Sequence, residues 1–214
     1  MPTLQLLNET QQKNFDSCPR LNSKQRLRYF AIDDTIFKYL DKMRSPINQV
    51  GFLVQLAYFR VSGKFFICSS FKKADLKYTC DILAFNNIDI SKIATNYSAK
   101  CKFLHKAYIL ENSGWHKFTE QSAEKLHKEL LLYAKQQMHP KTLLPIAARY
   151  LISCKIELPP YYVFANIISS VYNEIEEQLV KIVDDSLTVN QKNILDDLIW
   201  IDDKHRKCYK YSAL

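Results

Sequence analysis

The sequence predicts an all-α protein, two small helical subdomains of helix-turn-helix-like character, and three observations carry that expectation. Apolar residues recur at spacings of three and four in one segment after another, which is the period of amphipathic helices. Only 3 Gly and 7 Pro occur in 214 residues, so a sandwich or barrel of short strands would lack its usual turn residues. An apolar content of 47% with 13% aromatics supplies ample material for packed cores.

In chain order, Asn8 to Gln11 reads as the capped start of a short helix, and Asp33-Asp34 precede Ile36, Phe37, Leu40 and Met43 at helical spacing. Ser45-Pro46 restarts the chain. Val50, Leu53, Val54, Ala57 and Tyr58 then form a strongly apolar face closed by Ser62-Gly63, a helix expected at the centre of a core. Lys72 to Ala84 gives a further helix with Leu76, Cys80 and Leu83 inward, and Asp89 or Ser91 can cap the next. The only strand-like alternation, Lys64 to Cys68, is short enough to be a loop.

In the second half, Thr119 can cap a helix carrying Ala123, Leu126, Leu130, Tyr133 and Ala134, expected to stop near His139-Pro140. Leu143, Ala147, Tyr150, Leu151 and Cys154 form another stripe, in which Pro145 is tolerated if Thr142 is the cap. Phe164, Ile167, Ile168, Val171, Ile175, Leu179 and Ile182 make the clearest helix, begun after Pro159-Pro160, with Glu174, Glu176 and Glu177 toward water. A last helix begins at Thr188, with Gln191 completing a capping box. Glu111 to Gly114 interrupts the periodicity, which places a boundary near residues 110 to 118 and predicts subdomains over 1–112 and 113–214.

Several function classes find no support. The richest apolar run, Val50 to Phe59, is interrupted by Gln55 and closed by Arg60, well short of the ~20 residues that span a bilayer. No charged leader with an apolar core opens the chain, so a cytoplasmic location and no membrane partner are expected. The six cysteines include no C-x-x-C pair and the five histidines no H-E-x-x-H spacing; neither a metal nor a cofactor is expected, and the cysteines read as small core hydrophobes. The pairs Asp33-Asp34, Asp184-Asp185, Asp196-Asp197 and Asp202-Asp203 are adjacent, and neighbours on a helix point ~100° apart, so they read as helix-start charges rather than catalytic dyads. With so few glycines there is no phosphate-cradling loop. Trp115 and Trp200 read as core anchors, and no catalytic residue is assigned.

The charge is unevenly divided. Residues 1–110 hold 17 Lys and Arg against 8 Asp and Glu, a balance of +9, while residues 111–214 hold 13 against 14, a balance of −1. A regional excess of this kind suits a polyanion, whose condensed counterions are released when phosphates are neutralised. Three basic clusters carry it: Lys42 and Arg44 beside Asn48 and Gln49, then Lys72, Lys73 and Lys77, then Lys100, Lys102, His105 and Lys106. In the first, Arg, Asn and Gln near a helix start are the side chains that pair with base edges, while Asn48 and Gln49 could equally serve as caps. Lys100, Lys102 and Lys106 are expected on one solvated side, as phosphate contacts or as an ordinary wet face. With Arg60 and Lys64, these groups other than Lys77 form the expected DNA-binding set of twelve, and double-stranded DNA is the expected partner.

The run Lys42-Met43-Arg44-Ser45-Pro46-Ile47-Asn48-Gln49-Val50-Gly51-Phe52-Leu53-Val54-Gln55-Leu56, continuing through Phe59-Arg60 to Gly63-Lys64, resembles the Asn-Arg-Leu-Gly-Phe-Ala-x-Gln-Leu segment near the N-terminus of the Tn-three family of replicative transposases. Leu7 to Gln11, Tyr29-Phe30, Tyr97 with His105, Gly114 to Phe118, Ile156-Glu157-Leu158-Pro159, Leu187 to Gln191 and Leu195 to Leu198 resemble further family elements in the family's order. Gln49 stands where the family has Arg, and Lys102-Phe103-Leu104 where it has Thr-Arg-Arg. The resemblance implies a helical region that recognises transposon terminal inverted repeats, with the metal-dependent three-acid strand-transfer domain lying further along a longer protein and outside this chain. A module that holds transposase protomers together, allowing self-association, is the alternative expectation.

Overall fold

A computed structural model describes residues 4–201 and 207–209, with side chains described from 4 to 194. Trp200, Cys208 and the pairs Asp196-Asp197 and Asp202-Asp203 therefore lie outside the described side chains. The fold is all-α. Its helices are α1 (Glu9–Phe15), α2 (Ser23–Tyr29), α3 (Asp34–Asp41), α4 (Pro46–Ser62), α5 (Lys73–Ile82), α6 (Ile93–Asn96), α7 (Ala99–Ser113), α8 (Glu120–Ala134), α9 (Pro140–Ser153), α10 (Tyr161–Ser186) and α11 (Val189–Leu198). Two three-residue strands, β1 (Ile199–Ile201) and β2 (Lys207–Tyr209), pair antiparallel after α11. Among the described residues no helix is long and apolar enough to cross a membrane.

Local chemistry accounts for most of the helix starts. Asn8 accepts from the Gln11 N–H while the Gln11 side chain accepts from the Asn8 N–H, a closed capping box, and Asn22 with Gln25 repeats it at α2. Asp33, Ser98 and Thr119 cap α3, α7 and α8, and Thr188 exchanges the same reciprocal bonds with Gln191 ahead of α11. Pro46 opens α4 and Gly63 ends it in the left-handed region at φ 65°, where a side chain would be strained. The segment from Lys64 to Cys68 is a loop, leading into a short 3-10 turn at Cys68–Ser70.

Three sequence expectations are corrected. The cap of α9 is His139, not Thr142, so Pro145 lies inside the helix; it is exposed there, and its missing N–H removes one bond to the Lys141 carbonyl. Helix α8 stops at Ala134, earlier than the His139 limit, and turns follow. The cysteines also divide: Cys18, Cys68 and Cys80 are buried, Cys101 is half-buried and Cys154 is exposed.

The core is built around α4, all of whose residues from Val50 to Phe59 are buried. A helix apolar on every face must be surrounded, and α2, α5, α6 and α7 pack on it. At Gly51 the ring of Tyr97 comes so close that a Cβ would sit 2.7 Å from it, so only glycine lets the segment joining α6 to α7 lie down on α4. Asp75 of α5, at zero exposure, ties this layer together: it accepts from Arg26 at 2.7 Å and from the Tyr58 hydroxyl at 2.7 Å.

The chain forms one compact unit up to Val171 and a second from Tyr172, so the boundary expected near residues 110 to 118 falls inside the first unit. The main apolar cluster does stop near there, running from Cys18 to Leu110 with Trp115 against it, while Leu126, Leu130, Leu143, Leu151, Phe164 and Ile168 are buried outside it. Long-range polar contacts join the two sets. Leu158 donates to the Gly63 carbonyl at 2.8 Å, Lys106 pairs with Glu157 at 2.7 Å, and the Tyr161 N–H donates to Asp16. The Tyr161 hydroxyl in turn accepts from the backbone of Leu6 and Leu7.

Replacing Gly51 by Ala should lower unfolding free energy by about 1–3 kcal/mol, the usual cost of forcing extra volume into a packed interior. Urea denaturation followed by circular dichroism measures it; an unchanged midpoint would mean Tyr97 moves aside without penalty.

Candidate nucleic-acid interface

The twelve groups expected to contact DNA divide sharply by what holds them. Arg44, Lys42, Lys73 and Lys100 are exposed, and Lys72 and Lys102 are half-buried. Lys64 is 6% exposed, with its ammonium bonded to the Phe15 carbonyl and to Asp16 at 2.8 Å and lying over the Phe15 ring. Burial holds the Lys64 pKa below its ordinary value against the opposing pull of Asp16. This lysine therefore joins α1 to the loop after α4 and cannot reach a phosphate without breaking that joint. Arg60 is likewise committed, donating to the Tyr29 and Ala31 carbonyls and lying 3.6 Å from Asp33.

His105 is also corrected from surface contact to core residue. It is 5% exposed, its Nδ1 lies 2.6 Å from the Tyr97 hydroxyl, and Phe52 and Tyr39 pack edge-on against its ring. Burial lowers its pKa to about 4. On the same helix Lys100 and Lys102 lie two residues apart and so on different sides, whereas Lys102 and Lys106 share one side. The single solvated side expected for all three is therefore not formed: Lys106 pairs with Glu157 and sits over the Phe65 ring, and Lys102 sits over the Tyr97 ring.

The amides of the first cluster are also engaged. Asn48 donates to the Cys101 sulfur at 3.3 Å, and Gln49 donates to the Met43 carbonyl at 2.8 Å, stabilising the turn between α3 and α4. Neither caps α4, whose cap Ser45 makes no side-chain bond. Because α4 is buried from Val50 to Phe59, it cannot lie in a groove as a reading helix; at its start Lys42, Arg44 and Pro46 face outward.

What the sequence could not show is how the second and third clusters meet. Cys68 lines two adjacent concavities. One, of about 620 Å³, is bordered by Lys73, Lys77, Phe71, Ile88 and Asp89. The other, of about 260 Å³, is bordered by Gln55, Phe65, Phe66, Ile67, Phe103, Lys102 and Lys106. The 65–71 segment thus separates two hollows, each with two lysines on its wall. The Asn48–Cys101 contact brings the outward corner before α4 beside the start of α7, where Lys100 lies. Acids are few but present, with Asp89 on the first wall and Glu157 holding Lys106.

Sequence reasoning missed Gln55, Ile67 and Phe103. Ile67 and Phe103 are 74% and 68% exposed, unusual for large apolar side chains. Gln55 is the reverse case, a polar residue in the buried run of α4, and its Oε1 is buried with no hydrogen-bond partner. The one available signal was its interruption of the apolar run.

The described residues thus form an all-helical unit with lysines on the walls of two hollows. Residues 6–171 match the family described as Domain of unknown function (DUF4158), and the chain belongs to it. The matched span ends at the residue where the first compact unit ends. No curated protein matches the sequence.

His105 should make stability pH-dependent. Its folded pKa lies below the ordinary histidine value, so the unfolded chain binds the extra proton first, and stability falls as pH drops from about 6.5 toward 4, by up to about 3 kcal/mol. Urea midpoints at pH 7 and pH 4.5 for the parent chain and His105→Gln check this: the variant should lose less on acidification, and equal losses would exclude the histidine as the cause.

Proposed function

We propose that this chain is a duplex-DNA-binding module, the N-terminal part of a transposase of the Tn-three type that recognises terminal inverted repeats, and that it carries no catalytic site itself. The observation that supports it most is the meeting of two basic clusters around one segment, Lys73 and Lys77 on one side and Lys102 on the other, in the half of the chain with a balance of +9. Lysines on concave walls raise local potential and track a phosphate backbone. The exposed Lys42–Arg44 corner supplies an Arg able to reach a guanine edge. It belongs to the segment whose residues most resemble the transposase family. Phosphate contacts give affinity here, and Arg44 gives part of the readout.

A second reading has its own observation. In α10, after Val171, the large apolar residues Leu179, Val180, Ile182 and Val183 are all more than half exposed. Such a patch suits self-association of transposase protomers, and light scattering over a concentration series tests it; a monomer throughout removes this reading.

Fluorescence anisotropy with an inverted-repeat duplex and a scrambled duplex tests the leading reading. Affinity should fall with salt, with a slope of about −0.9 per phosphate contacted. Changing Lys73, Lys77 and Lys100 together to Ala should weaken both duplexes and flatten the slope by about 2–3, whereas Arg44→Ala should mainly reduce the preference for the inverted repeat. Equal, weak, salt-insensitive binding to both duplexes would sink the proposal.

A further inference from the structure

We propose that the smaller hollow, between the 65–68 loop and α7, holds one unstacked nucleobase of a bound strand, with Gln55 as its hydrogen-bond acceptor. The inference rests on the DNA-binding reading above and names what that surface takes beyond the phosphate backbone.

Gln55 carries the argument. It is 5% exposed, yet its Oε1 has no hydrogen-bond partner. An unmatched buried acceptor is destabilising, and an apolar side chain of similar shape would avoid that penalty. The residue lines a hollow whose other walls are Phe65, Phe66, Ile67 and Phe103. At about 260 Å³ the space falls below the ~300 Å³ at which sites begin to enclose drug-sized molecules, so it suits a single ring system.

The rim specifies the chemistry of that ring. Phe103 and Ile67 stand largely exposed at the mouth, where an aromatic face can stack, and every base has such a face. Lys102 flanks the same mouth and matches a phosphate beside an everted nucleotide. An aliphatic ligand would leave Gln55 unmatched, and a carboxylate would repel its acceptor oxygen. A base presents an N–H on its pairing edge, which the Gln55 Oε1 accepts once the amide turns toward the hollow it lines.

The test uses the full chain and three labelled probes: a blunt duplex, the same duplex with a three-nucleotide single-stranded tail, and that tailed duplex with abasic tail sites. The tailed duplex should bind roughly tenfold more tightly than its abasic counterpart, the scale of one base stacked on an aromatic side chain. Gln55→Leu should remove most of that preference while leaving blunt-duplex affinity and thermal unfolding unchanged or slightly improved. Should Gln55→Leu misfold, Phe103→Ala at an exposed site should remove the preference with no loss of stability. Equal affinity for the tailed and abasic probes, or full preference retained by both variants, overturns the base pocket while leaving duplex binding intact. Failure to bind any duplex overturns both readings. Concentration-dependent dimerisation abolished by Phe103→Ala, without any tail preference, would instead assign the hollow to a protein side chain and overturn the proposal.

Discussion

A carboxylate with no solvent contact sets the geometry of the basic surface. Asp75 receives Arg26 from α2 and the Tyr58 hydroxyl from α4, and that hydroxyl accepts in turn from the Lys72 N–H at the start of α5. Burial raises the Tyr58 pKa, so the phenol stays protonated and keeps donating. The link is stiff because each partner lacks an alternative: removing one member of a buried charged pair typically costs about 3–5 kcal/mol. Through it, the orientation of α5, and with it Lys73 and Lys77, is fixed against the buried central helix.

Positive charge is used in two ways in this molecule. Lys64, Arg60 and Lys106 hold separate stretches of chain together, the first through Asp16, the second through two backbone carbonyls and the third through Glu157. Of the expected DNA contacts, Lys42, Arg44, Lys73 and Lys100 are exposed, as is Lys77 beside them, and they face solvent at little conformational cost. The regional excess of +9 therefore overstates the charge free to meet a polyanion. Of the exposed cations, Lys73 and Lys77 lie on a concave, partly apolar wall, where the low dielectric strengthens their charge.

The same division explains why the first compact unit extends past the middle of the chain. Residues after Trp115 bring their own buried side chains on α8, α9 and the start of α10, which is why the sequence reads as two subdomains. The charged joints at Asp16 and Glu157 and the Gly63–Leu158 backbone bond then close both sets into one unit, which the matched family span also covers as a single domain.

By itself the sequence determined the fold class, most helix starts and stops, and the burial of α4, because period, capping side chains and glycine or proline punctuation act over three to seven residues. The structure alone decided which cations are free, where the compact unit ends, and that His105 and Lys64 are interior. Those outcomes depend on partners such as Tyr97 and Asp16, and Asp16 lies 48 residues from Lys64. Even His105 and Tyr97, eight positions apart, look like an aromatic and a base until α7 folds back onto α4. Gln55 shows the limit most clearly: a lone amide in an apolar run is visible in the chain, but whether its oxygen finds a donor is a property of the packed neighbours.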